Sequence, residues 1–440
     1  MMKRATSTMA AVLAGLALAV SPVSPATPTA HAADGFAGDF YSPPASLPVT
    51  NGALVRTEPM KLTASFSLDG NATTLPGTAT RILYRSTDEA GQPVAVSGAY
   101  IEPAKAWPGS GPRPLVSFSV GTQGTGDACA PSKTLEKVLN IENGKFMIGY
   151  EIPAIYRFLN KGVAVVVTDY VGLGTTDRVH TYMNRVDQAH AVLDAARAAL
   201  NLTGTSLQRT SPIGFYGYSQ GGGASGAAVE MAPSYAPELN LKGAYVGGPP
   251  ADLYEVMKQA DGTMLTGVIP WTINAMLAYR PGLVAPLAAL MNDEGSKVLE
   301  NSKNQCIVDA ILTSAFKKTS SWTESGNLAS VDAPKFPAIL KAVDDQRIGR
   351  LTPTVPVQVL TGTKDDIVAH GQAKQLAVDW CSRGVNVTYR PVIQLLGSGG
   401  TMLNHMAPLL SEQKQSANWL VDRLEGESVT SNCRWIKLMP

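Results

Sequence analysis

From Leu115 onward, short apolar runs alternate with longer stretches of helical character, and this alternation constrains the fold more than any other feature of the chain. Residues 115–120, 163–168, 213–216, 244–246 and 355–360 are largely apolar. Strands of that kind need cover on both faces, which a parallel sheet obtains from its crossover helices. Residues 188–200, 220–231, 371–383 and 412–424 have the composition for those helices, and 385–392 alternates as a further strand would. Residues 53–102 differ: turn residues are frequent and β-formers cluster, which predicts antiparallel strands leading into the sheet. From 253 to 345 no strand pattern occurs, and Met, Leu, Ala and Trp fill helical-looking segments such as 268–291. The expected fold is therefore α/β, with a mostly parallel central sheet and helices on both faces. Its core comprises 33–252 and 346–440, and 253–345 forms a helical cap insertion.

The first 32 residues read as a secretory signal peptide: Lys3 and Arg4, an apolar run from Met9 to Val20, and Ala30-His31-Ala32 as the cleavage site. The expectation is a secreted protein, free or associated with the cell envelope. The apolar run is too short to span a bilayer. Loss of Lys3 and Arg4 changes 36 basic against 35 acidic residues to 34 against 35, a balance that argues against nucleic-acid binding. With 45% apolar and 16% charged residues the chain has the composition of a protein with a large core. Cys129, Cys306, Cys381 and Cys433 are an even set in an exported chain, so two disulfides are expected, with three pairings open. No two of them stand at C-x-x-C spacing and none has a histidine beside it, so no metal site is expected.

The chemistry is carried by Gly217, Ser219 and Gly221, a G-x-S-x-G match. In a chain with 41 glycines the pattern alone says little. Its context says more: an apolar strand precedes it and an Ala/Gly-rich helix follows, the strand-to-helix turn a nucleophilic serine requires. Such a serine needs a base, and in this fold class the order is Ser, acid, His. Only His370 and His405 follow Ser219 with an acid candidate before them. His370 lies five residues after the best acid candidate, too close for an intervening strand, so His405 is the expected base. The acid is expected where a buried strand ends in a Gly turn, and G-x-x-D-x-x-V selects Asp365. Asp366 is the alternative and otherwise reads as a solvated loop carboxylate. Asp169, Tyr170 and Gly172 read as strand-ending turn residues, and His180 and His190 as surface or helix-face residues. Trp271, Met276 and Leu277 are the expected substrate-facing residues of the cap.

Several separate motifs in one order carry a resemblance: GYSQG at 217–221, DACAPS at 127–132, TDYVGLG at 168–174, SYAPELNL at 234–241, DDIV at 365–368 and CSRGVN at 381–386. Together they resemble the secretory lipase family, α/β-hydrolases typified by fungal lipase A, over residues 39–433. The resemblance implies Ser219, Asp365 and His405 as a triad, and disulfides joining Cys129 to Cys306 and Cys381 to Cys433. It implies backbone oxyanion donors at Gln220, after the nucleophile, and at Gln123, with Thr122 or Gly124 as alternatives of register. The fungal enzymes carry an acidic residue where Gln123 stands.

The expected activity is hydrolysis of lipid carboxylic esters, such as triacylglycerols, through an acyl-enzyme. No cofactor is expected, and the expected partners are a lipid or small ester and transiently a lipid interface. No obligate protein partner is expected. The rivals are an acyltransferase using the same triad and an inactive hydrolase-like binding protein of the envelope.

Overall fold

The inner strands form where β-branched and aromatic residues run without a charged interruption. Ala164–Thr168 is fully buried along its length, as is Leu115–Ser119, and both lie inside the sheet. The computed structural model describes residues 39–62, 76–136, 139–142, 145–175 and 177–440. The signal peptide expected over 1–32 lies outside the described residues. The chain divides into two units, Met1–Asp39 and Phe40–Pro440, and the second holds everything that follows.

Eleven strands are described: β1 Leu54–Met60, β2 Gly77–Thr87, β3 Pro93–Pro103, β4 Leu115–Ser119, β5 Leu139–Glu142, β6 Lys145–Ile148, β7 Ala164–Thr168, β8 Ile213–Tyr218, β9 Leu241–Gly247, β10 Val357–Gly362 and β11 Val387–Val392. Nine form one sheet in the order β1-β2-β3-β7-β4-β8-β9-β10-β11. The first three strands are antiparallel to their neighbours, and from β7 to β11 all pairs are parallel. The antiparallel lead-in and the parallel body thus both follow the sequence pattern. β8 lies inside the sheet, flanked by β4 and β9, so its C-terminal end opens where loops from both sides of the fold converge.

Helices cover the sheet where expected, at Arg185–Asn201, Gln220–Tyr235, His370–Ser382 and Gln413–Leu424. The first begins at Asn184, whose side chain accepts from the N–H groups of Val186 and Asp187. Periodicity does not reveal the helix Ile152–Leu159, the β5–β6 hairpin or the helix Leu403–Ser411. The last of these follows a Gly-rich loop and contains Pro408, signals that read as irregular chain.

Between β9 and β10 the described residues form helices and short 3₁₀ turns, from Leu253–Ala260 to Pro337–Asp345, with no named strand and a single internal β-bridge, Met291 to Thr323. They close a second apolar cluster around Trp271 and Trp322. Two disulfides are formed, Cys129–Cys306 and Cys381–Cys433, the pairing the resemblance implies. The first joins the loop after β4 to the helical insertion.

Candidate active site

Ser219 stands between the end of β8 and the helix Gln220–Tyr235, with φ 58° and ψ −124°, a strained conformation for a non-glycine residue. The turn is tight enough to demand glycine beside it. A Cβ on Gly221 would lie 1.9 Å from the carbonyl oxygen of Ser119, and one on Gly217 would lie 2.2 Å from that of Gly221. The serine is thereby held out at the sheet end, its N–H bonded to Gly247 O at 2.9 Å.

His405 brings the sequence-selected residues together. Its Nε2 lies 2.8 Å from Ser219 Oγ and its Nδ1 2.7 Å from Asp365 Oδ2. The imidazole is 2% exposed and the Asp365 side chain fully buried, so this chain of bonds is shielded from water except at the serine. Asp365 uses its other oxygen to accept from Ile367 N–H at 3.0 Å and Val368 N–H at 2.9 Å. Those two bonds fix the carboxylate, and the carboxylate fixes the tautomer of His405. Below the ring, Tyr218 Oη donates to His405 O at 2.6 Å.

Asp366 departs from the sequence reading. It is buried, not solvated. Its Oδ1 accepts from His405 N–H at 3.1 Å; its Oδ2 accepts from Met402 N–H at 2.9 Å and from Ser398 Oγ. Met402 has a positive φ of 69° at the start of the helix that carries His405. Asp366 therefore anchors the histidine loop, while Asp365 meets the ring.

As the first residue of its helix, Gln220 has an N–H with no intrahelical acceptor. Gln123 accepts from Ile307 N–H through its carbonyl, and among the described residues its own N–H has no backbone acceptor. Thr122 and Gly121 line the cavity at Ser219, whereas Gln123 does not and lines a separate small cavity.

His180 is a neighbour of the site that sequence reasoning missed. Read as a surface or helix-face residue, it is fully buried: its Nδ1 bonds to Val171 O at 2.8 Å and its Nε2 lies 3.3 Å from Gln220 Nε2. Burial lowers its pKa to about 4, so it stays neutral and can accept from the Gln220 amide. Nothing in the sequence signals this, since the contact joins residues forty positions apart. His190 does sit on a helix, stacked on Tyr235 at 3.7 Å.

The cavity at Ser219 has a volume of about 240 Å³ and apolar walls: Leu265, Ile307, Val308 and Ile311 from the insertion, Met402, Met406 and Leu409 from the body. Trp271, Met276 and Leu277, the expected cap contacts, do not line it. Trp271 is fully buried, edge-on to Tyr182 at 5.5 Å. Met276 lines a second cavity of about 70 Å³, walled by the insertion and by Tyr182 and Met183, and Leu277 packs against the same cluster. The physical reason is that the helix Val268–Tyr279 is apolar nearly all round and so becomes core, while the helix Ile307–Ser314 has one apolar face free for the site.

A mostly parallel sheet with a serine at a strand-to-helix turn, followed in chain order by an aspartate and a histidine that meet it, defines an α/β-hydrolase. The chain belongs to the secretory lipase family, which residues 139–432 match. It is 29% identical over 394 residues to a Mycobacterium tuberculosis protein named "probable inactive lipase", covering 89% of this chain and 83% of that one. It is 27% identical over 365 residues to lipase 5 of Candida albicans, covering 81% and 74%. In fold it resembles Candida antarctica lipase A in its closed state, with a TM-score of 0.71 at 21% identity over 87% of this chain and 84% of that one. Membership places the chain among hydrolases of lipid ester bonds.

Proposed function

We propose that the protein is a secreted serine hydrolase that cleaves carboxylic esters of apolar acyl chains through an acyl-enzyme. The observation that carries this reading is the unbroken pair of bonds Ser219–His405–Asp365, at 2.8 and 2.7 Å. Ser219 Oγ attacks the ester carbonyl as His405 Nε2 takes its proton. Asp365 holds the Nδ1–H and stabilises the imidazolium. The N–H groups of Gln220 and Gln123 receive the oxyanion. The alcohol leaves with the proton from His405, and water then repeats the sequence on the acyl-serine. The mycobacterial relative's name speaks against activity in that protein; the intact bond pair supports it in this one.

Apolar cavity walls support an acyl chain as the recognised group. Exposed Leu312 follows the lining Ile311, and exposed Leu403 and Leu410 flank the lining Met406 and Leu409 on one helix, so the rim offers apolar surface to an aggregated lipid. Residues 253–345 act as the cap. Hydrolysis rates over p-nitrophenyl esters of increasing chain length test the reading, with Ser219→Ala as control. Activity on acyl chains that disappears in the variant supports it; equal rates in both proteins contradict it.

A further inference from the structure

The peptide groups leading into the oxyanion loop are held one after another by the buried side chains of Tyr170 and Glu151 and the half-buried one of Tyr150. Tyr170 Oη donates to Val120 O at 2.7 Å, Gly121 N–H donates to Glu151 Oε1 at 2.8 Å, and Tyr150 Oη donates to Thr122 O at 2.9 Å. In a trans peptide the N–H points opposite to the carbonyl, so fixing Thr122 O also aims the N–H of Gln123. The approach is close: a Cβ on Gly121 would lie 2.6 Å from Tyr150 Oη and 3.2 Å from Glu151 Oε1.

Glu151 differs from the two tyrosines in that it carries a carboxyl into this setting. It is 4% exposed and lines the Ser219 cavity. Among the described residues no basic side chain pairs with it, and its Oε2 has no hydrogen-bond partner. Gln123 Oε1 is likewise buried and unpartnered. Both residues line the same cavity of about 10 Å³ behind the loop. Two residues lining one small space thus each carry a buried acceptor without a donor, and a neutral Glu151 carboxyl has a proton to donate where an ionised one has none.

We propose that Glu151 is a positioning residue for ester hydrolysis: its neutral carboxyl holds the Gly121 peptide so that the Gln123 N–H meets the oxyanion, and its ionisation places a buried negative charge beside that oxyanion and slows turnover. The inference rests on the serine-hydrolase reading. Burial pushes the Glu151 carboxyl up to about 7, opposed only by the Gly121 bond. The titratable groups around it are Tyr150 on its own loop, Tyr170 after β7, Tyr182 before the helix Arg185–Asn201, Tyr216 and Tyr218 on β8, Tyr245 on β9, and His405 across the cavity with Asp365 and Asp366 behind it. Burial raises all six tyrosines, which stay neutral while Glu151 titrates.

The test is kcat and KM for p-nitrophenyl butyrate from about pH 5 to about pH 9, with active sites counted by a fluorophosphonate. Wild type is expected to lose kcat above about pH 7 as Glu151 ionises. Glu151→Gln keeps an acceptor for Gly121 and adds a permanent donor. It is expected to stay within about threefold of wild-type kcat near pH 6, with KM unchanged, and to lack the descending limb. Glu151→Ala is expected to lower kcat by about 100-fold at similar KM, as loss of an oxyanion donor does. A descending limb in Glu151→Gln identical to wild type overturns the proposal, as does wild-type kcat in Glu151→Ala. Should Glu151→Ala not fold, the Glu151→Gln profile alone decides. A wild-type protein inert toward esters overturns the hydrolase reading and this inference with it; an active wild type with an unmoved Glu151→Gln profile overturns the inference alone.

Discussion

Asp365→Asn separates the two adjacent aspartates by mechanism. In the native site one carboxylate oxygen accepts from His405 Nδ1 and the other from the N–H groups of Ile367 and Val368. An asparagine has one acceptor and one donor end. Facing its NH₂ toward the turn would leave two buried N–H groups unsatisfied, at about 1–3 kcal/mol each; facing its oxygen there costs only the bond to histidine. The asparagine therefore turns its NH₂ toward His405 Nδ1, which must then accept, and Nε2 carries the proton. A protonated Nε2 cannot take the proton of Ser219. The expected loss in kcat is about 10⁴-fold, by comparison with the same substitution in a serine protease, equivalent to about 5 kcal/mol. The turn amides keep their acceptor, so the melting temperature should hardly move. Asp366→Asn is the contrast: it loses a charge and one acceptor among the bonds to His405 N, Met402 N and Ser398 Oγ. It should cost about 1–3 kcal/mol of stability, with a loss in kcat of about tenfold or less. Initial rates on a soluble ester and thermal unfolding of both variants decide the matter. An Asp365→Asn protein with near-native kcat beside an Asp366→Asn protein that is folded and inactive would refute the assignment.

Because burial raises Glu151 to about 7 from 4.5, its neutral form is the one the fold favours. Its contribution to stability is complete below about pH 4.5 and lost as pH rises through about 7; melting curves should show wild type losing stability across that window relative to Glu151→Gln. Ile311→Trp, which reduces the Ser219 cavity, should shift chain-length preference toward short esters, whereas Trp271→Ala should chiefly lower the melting temperature by opening a void; matched ester profiles of both variants check this. The disulfides close segments of 177 and 52 residues, for which chain entropy gives upper estimates of about 5 and about 4 kcal/mol. Only the first borders the loop after β4 proposed to hold the oxyanion, where Ile307 N–H bonds to Gln123 O at 2.8 Å. Cys129→Ser with Cys306→Ser should therefore reduce kcat as well as stability, while Cys381→Ser with Cys433→Ser should reduce stability alone, as kinetics below the melting transition would reveal.

The parts of the site legible in the sequence are those fixed by local chain geometry. A serine between glycines at a strand-to-helix turn, an aspartate after a buried strand and a histidine before the final helix announce themselves through backbone demands that glycine, β-branched and apolar residues express locally. The parts not legible depend on contacts distant in sequence. Asp366 looks like a loop carboxylate until the histidine loop folds over it, and His180 looks unremarkable until Gln220 lies above it. The cap misled for a related reason. Its most apolar helix drew the substrate role, yet strong apolarity all round marks core, and the cavity is lined instead by a helix apolar on one side.

The central claim, that Ser219 becomes acylated, is tested most directly by mixing the protein with p-nitrophenyl butyrate, quenching in acid within the first turnovers, and mapping peptides by mass spectrometry. The account predicts a butyryl group on the peptide containing Ser219, strongly reduced in Asp365→Asn, whose histidine cannot take the serine proton, and absent in Ser219→Ala. Ester turnover with the serine peptide unmodified at every quench time, or an acyl group found on another residue and retained in Ser219→Ala, would contradict it.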